Sequence, residues 1–224
     1  VTEVDVVRVF ADEHGRHGNA LGVVLDPAGL SQADQQAIAA ELGYSETVFV
    51  EDVGSARLRI YTPAVELPLA GHPLVGVSWL LARETGRAQD FLRPVLLAEP
   101  VPTFVEDGAT WVRATVADAP PWDHLRLAEA AEVEAADPAT ADEKVQMWAW
   151  LDERAGVVRA RVFARAFGVA EDEACGSATL MLAAQLGRPI TVRHGEGSVV
   201  LARPAGPGLG EVGGRVVYDM RRAL

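Results

Sequence analysis

The sequence predicts an α/β (α+β) fold of two pseudo-symmetric domains, each a curved, mostly antiparallel sheet wrapped around a central buried helix. Three observations predict it. Short runs of β-branched and aromatic residues recur along the 224 residues, separated by Gly, Pro and Asp, as strands and turns do. Two helical segments, AGHPLVGVSWLLARETGR and CGSATLMLAAQLGR, are apolar or small nearly all round, and such a helix is buried. Each opens at a Gly-containing turn and closes on Gly-Arg (Gly86-Arg87, Gly187-Arg188), so the chain echoes itself as a duplicated domain does.

The elements follow in order. VDVVRVF (4–10) and ALGVVLD (20–26) read as strands. Ser31 with Asp34 three residues on has the pattern of a capping box, and Gly43 suits a C-cap, so a helix of about three turns lies between them. ETVFV and ARLRIYT are two further strands. Pro73 sits where the first turn of a helix tolerates it, and Leu74, Val77, Leu80 and Leu81 recur at helical spacing. Residues 88–109 read as a strand and a turn region punctuated by Pro94, Pro100 and Pro102, and the domain division falls here: 1–106 and 107–224. TWVRATVAD opens the second half as a strand. Residues 117–143 are acidic and Ala-rich with three prolines, and read as a loop or a weak edge. VQMWAWL and VVRARVFA flank DERAG as a hairpin. SATLMLAAQLG is the second buried helix, and ITVRHG, GSVVLARPAG and GRVVYDM complete the strands.

Composition narrows the function. Hydrophobic residues make up 49%, enough for a core, and the net charge is −12 from 20 Lys+Arg against 32 Asp+Glu. No basic cluster suggests a nucleic-acid face. A single cysteine allows neither an intramolecular disulfide nor a multi-thiolate metal site, and no His/Asp/Glu spacing reads as a metal centre. No apolar run approaches the roughly 20 residues of a membrane span. The opening VTEVDVVRVF lacks the basic region of a signal peptide, so a soluble, cytoplasmic protein is expected.

The two helix mouths, AGHP (70–73) and ACGS (174–177), are the candidate site. A helix N-terminus leaves about four N–H donors unpaired, and with the macrodipole they attract a carboxylate. Taken singly each turn is equally an ordinary cap. Recurrence in both halves favours two mouths facing each other across a cleft, around a small anionic substrate.

Five motifs, GNALGVVLD (18–26), SETVFV (45–50), RLRIYTP (57–63), ELPLAGHPLVG (66–76) and EDEACGSAT (171–179), occur in an order and spacing that resembles the PhzF-like phenazine-biosynthesis isomerases, of the diaminopimelate-epimerase-like fold. They span nearly the whole chain. The resemblance implies an isomerase that works without a cofactor, moving a proton within its substrate (dihydro-hydroxyanthranilate in the best-studied members), and a homodimer. It implies Glu46 as the acid/base, with His72 and Asp172 beside it. Asn19, Gly71, Gly176 and Ser177 would bind substrate. From the residues alone, Glu46 also reads as a surface glutamate at a strand start, and His72 as a hydrogen-bonded core histidine. The chemistry suits a carboxyl: one that is buried away from water can take a proton from one carbon and return it to another.

Two departures stand out. The chain is shorter than its family, with the deficit around residues 100–145. Where the family has Pro-Ala-Thr-Gly-Ser, this chain has Glu173-Ala174-Cys175-Gly176-Ser177, which looks like the cysteine motif of diaminopimelate epimerases. No second thiol exists, which excludes a two-cysteine racemase. Cys175 is then a small residue in a tight turn beside the substrate, a second acid/base opposite Glu46, or a redox-sensitive thiol. Three functions follow: a PhzF-like isomerase, an amino-acid epimerase using Glu46 and Cys175, or a binding protein that kept the cleft.

Overall fold

The computed structural model describes residues 2–224. In chain order the elements are β1 (Glu3–Ala11), β2 (Asn19–Val24), α1 (Gln32–Leu42), β3 (Glu46–Asp52), β4 (Arg57–Tyr61), β5 (Glu66–Leu67), α2 (Gly71–Thr85), β6 (Phe91–Pro94), β7 (Val101–Glu106), β8 (Ala109–Thr115), β9 (Asp123–Arg126), α3 (Ala130–Glu134), β10 (Val145–Asp152), β11 (Val157–Ala164), β12 (Val169–Asp172), α4 (Gly176–Leu186), β13 (Ile190–His194), β14 (Ser198–Pro204) and β15 (Leu209–Ala223).

The expected duplication is visible in the pairing. In the first half β2 runs parallel to β3, β3 forms a hairpin with β4, β4 carries the short β5, and β6 returns parallel to β4 after α2. In the second half β9 runs parallel to β10, β10 forms a hairpin with β11, β11 carries β12, and β13 returns parallel to β11 after α4. The helices α1 and α3 occupy matching places, with α3 reduced to a short turn. Residues 117–143, read as loop or weak edge, supply this edge strand and helix. Their apolar residues are mostly alanine, which marks neither strand nor buried face, and this hid both.

The strands run in the order β1-β2-β3-β4-β6-β7-β8-β15-β14-β13-β11-β10-β9, and β1 also pairs with β15. The first eight of these therefore close into a ring. The second set does not: it stops at β9, and β9 is not hydrogen-bonded to β8, although their counterparts β2 and β1 are paired. Strand β15 serves both rings. Residues 209–214 pair with β8, and the remainder runs antiparallel to β1. The division at 106/107 falls at the tip of the β7–β8 hairpin, where Asp107 and Gly108 both have positive φ, the geometry of a tight two-residue turn. Because β15 belongs to both rings, the first half is completed by a segment that follows the second, and the two are not independent pieces of chain.

Each ring is built around one helix. Helix α2 buries Leu74, Val75, Val77, Leu80 and Leu81 completely, and α4 buries Leu180, Leu182 and Ala183. Burying a Leu or Val side chain stabilises by about 1.5–3 kcal/mol, so these two helices anchor the core. The surface helix α1 differs: it buries only Gln35 and Ala39, and its N-terminus is closed by its own capping box. No helix among the described residues is long and apolar enough to cross a membrane.

Candidate active site

The two buried helices meet at their N-termini. A Cβ placed on Gly176 would lie 2.9 Å from the His72 backbone N and 3.1 Å from the Gly71 carbonyl carbon, and one on Gly71 would lie 3.1 Å from the Gly176 carbonyl carbon. Backbone touches backbone, and any larger residue at either position would part the mouths. Gly176→Ala is therefore expected to destabilise the fold by about 1–3 kcal/mol, as overpacking of a filled core does, measured as a lower denaturation midpoint.

Unlike α1, neither mouth is capped. Ala70 and Cys175 precede α2 and α4 without a side-chain cap hydrogen bond, and neither first turn holds an acid. The donors that Ser31 and Asp34 satisfy in α1 have no such side-chain partner here.

Carboxylates lie beside the junction instead. Glu46, the first residue of β3, places Oε2 2.9 Å from Nδ1 of His72 in the first turn of α2. His72 Nε2 is buried with no partner. An orphaned lone pair costs less than an orphaned N–H, which assigns the proton to Nδ1, donating to an ionised Glu46. Asp172 ends β12 and is buried. Its Oδ1 accepts from Asn19 Nδ2 at 2.5 Å and from the Ala174 N–H at 3.2 Å. Asn19 Oδ1 in turn accepts from Ser45 Oγ at 3.2 Å, so one amide ties β2, the segment before β3 and the β12–α4 turn together. Burial, then the nearby Glu46 charge, push the Asp172 carboxyl up to about 6.

The three acids before the cysteine point three ways. Glu171 pairs with Arg161 at 2.7 Å, Asp172 turns inward, and Glu173 accepts from Ser198 Oγ at 2.7 Å. Cys175 is buried, with Sγ 3.4 Å from Ser177 Oγ. Burial and the Asp172 charge hold its thiol well above the usual range, so it is protonated at neutral pH. Behind it Thr179 Oγ1 donates to the Cys175 carbonyl at 2.8 Å and accepts from Nε2 of His194 at 2.9 Å. His194 is fully buried, which pulls it down to about 3 and keeps it neutral. This pair braces the first turn of α4.

The structure thus brings together all eight sequence-chosen residues: Asn19, Glu46, Gly71, His72, Asp172, Cys175, Gly176 and Ser177. Three neighbours were not foreseen. Ser45 is one. Trp122 donates from Nε1 to Ser177 Oγ at 3.0 Å, and Phe167 packs on Trp122 with ring centroids 5.6 Å apart. The signal for Trp122 was a tryptophan behind two prolines in an otherwise acidic segment, too local to place it at the site.

Comparison with known proteins gives the family and the fold. Residues 7–146 match the family described as phenazine biosynthesis-like protein (PhzC-PhzF). Trans-2,3-dihydro-3-hydroxyanthranilate isomerase of Pseudomonas aeruginosa is 30% identical, over 85% of this chain and 82% of that protein. A PhzF-family protein of Bacillus anthracis superposes with a TM-score of 0.79 at 19% identity, covering 99% of this chain and 98% of its own, which shows the shared fold. A protein from Pseudomonas aeruginosa described as a predicted epimerase superposes with a TM-score of 0.73 at 26% identity, covering 100% and 99%. The chain belongs to the phenazine biosynthesis-like family, whose curated relatives carry the name isomerase.

Proposed function

We propose that this protein isomerises a small carboxylate-bearing metabolite by moving one proton between two of its carbons, with Glu46 as the shuttle. The observation that carries this reading is the meeting of two uncapped helix N-termini beside a buried Glu46–His72 pair and a buried Asp172. The helix mouths supply N–H donors and positive dipole ends for the substrate carboxylate. Glu46, ionised and fixed by His72, takes a proton from one substrate carbon and returns it to another on the same face. Asp172, held by Asn19 and the Ala174 N–H, orients the polar groups of the substrate. Burial keeps water from competing for the proton in transit.

Trans-2,3-dihydro-3-hydroxyanthranilate is the first substrate to test, since the Pseudomonas aeruginosa relative is named for it. The protein is incubated with this compound in deuterated water, and product and deuterium incorporation are followed by mass spectrometry. Product formed by wild type and not by Glu46→Gln supports the shuttle. Ligand binding without product or exchange would instead favour a cleft that only binds.

An epimerase needs a second group opposite Glu46, and Cys175 lines the same cleft. Its protonated thiol, held high by burial and by two neighbouring carboxylates, is a poor proton acceptor. Cys175→Ala is therefore expected to keep turnover within about threefold of wild type, whereas loss of an acid/base would cost about 10²-fold or more. The steady-state rate of the variant decides between the two.

A further inference from the structure

We propose that Trp122 is the gate of the Glu46–Asp172 cleft and the residue that sets how large a substrate it admits. The proposal rests on reading that cleft as the substrate site. As it stands the cleft encloses only about 20 Å³ between Glu46, Asp172 and Trp122. That is room for about one water molecule, and far less than a carboxylated six-membered ring needs. Some wall must move before a substrate enters.

The helix mouths are poor candidates. Gly71 and Gly176 are in backbone contact, and the helices behind them are fixed in the core. Trp122 is differently held. It lies on the connection between β8 and β9, at the seam where the second ring fails to close, whereas the matching β1 and β2 are hydrogen-bonded along their length. Pro120 and Pro121 have no N–H to donate. The flanking backbone hydrogen bonds are Ala119 N–H to the Val116 carbonyl and Asp123 N–H to the Lys144 carbonyl. Between these points the indole itself is the tether, through its N–H to Ser177 Oγ at 3.0 Å and its packing on Phe167. Ser177 stands in the open first turn of α4, where its oxygen accepts from the indole while its own O–H stays available to donate to a substrate carboxylate, so the latch and the carboxylate site share one residue. The indole must swing off this hydroxyl to make room for a substrate ring, and the volume that it vacates is the volume the substrate gains.

The chain carries its own reporter. Cys175, its single cysteine, is buried in the same apolar cluster as Trp122 and lines the same cleft. The rate of its alkylation by iodoacetamide at pH 8.5, followed by mass spectrometry on the intact protein, reads how often the cleft opens. It is measured for wild type, Trp122→Phe, Trp122→Ala and Val24→Ala. The last lies in a separate core cluster and controls for simple loss of stability. Trp122→Ala is expected to be labelled at least tenfold faster than wild type and faster than Val24→Ala. Trp122→Phe, which keeps a ring and loses the latch, should fall between wild type and Trp122→Ala. A Trp122→Ala rate equal to wild type, or no higher than that of Val24→Ala, overturns the proposal. Trans-2,3-dihydro-3-hydroxyanthranilate added to the same assay separates the two readings. Accelerated labelling without protection or turnover upholds the gate and counts against that substrate. Turnover with unaccelerated labelling upholds the shuttle and removes the gate.

Discussion

Glu46→Gln is expected to slow isomerisation by about 10²–10⁴-fold, the usual contribution of a positioned acid/base, while changing KM little. The amide is nearly isosteric with the carboxylate, and its oxygen can still accept the His72 Nδ1–H that now holds Oε2 at 2.9 Å. What it cannot do is take up a proton. The side chain is mostly buried and the helix mouths are untouched, so carboxylate binding and folding should persist. Steady-state kinetics with product analysis checks this, alongside a thermal melt. A variant retaining more than a third of wild-type turnover would remove Glu46 from the role of shuttle.

Asp172→Asn is expected to make the protein more stable and less active at once. The carboxyl rises to about 6 in the folded state from 3.8, chiefly through burial and then through the Glu46 charge. A carboxyl that holds its proton more tightly when folded contributes most stability below pH 3.8, and that contribution is lost as pH rises through 6. At pH 7 the buried ionised group costs the fold on the order of 3 kcal/mol, at about 1.4 kcal/mol per pH unit. Asparagine keeps an oxygen to accept from Asn19 and the Ala174 N–H and carries no charge. A gain of about 1–3 kcal/mol at pH 7 is expected, or several degrees in Tm for a chain of this size, shrinking toward zero below pH 4. Turnover should fall, and the limb of the pH–rate profile near pH 6 should vanish. Melts at pH 7 and pH 3.5 test the sign. Equal stability of wild type and variant at pH 7 would mean that Asp172 is not held ionised at a cost, and that the strain at this site is absent.

Much of this was legible in the sequence because it depended on local pattern. The capping box at Ser31, the Gly43, Gly86 and Gly187 helix ends, and the two all-apolar helices are short-range features, and each stands where its residues predict. The convergence of Glu46, His72 and Asp172 was legible through motif order, which carries long-range information that periodicity lacks. Other features depended on tertiary context. Strand β9 (DHLR) is built from residues of weak β propensity and helix α3 (AAEVE), though of good helix formers, is too short to stand alone, and packing against β10 and β11 makes them. Trp122 reaches Ser177 across more than fifty positions of sequence, and nothing near it signals that reach. The service of β15 to both rings could not be read from GSVVLARPAG and GRVVYDM as two ordinary strands.

That shared strand bears on how the chain reaches its fold. The pairing of Glu3 with Ala223 and of Val9 with Val216 joins segments about two hundred positions apart in the chain. Until β15 has been made, the first ring has every strand except the one that seals it, and β1 presents an unpaired edge. Closing a loop of this length carries a large entropic cost before any contact repays it, so sealing is a late and slow event. Until then both halves share the same unfinished boundary, and their completion is a single step rather than two.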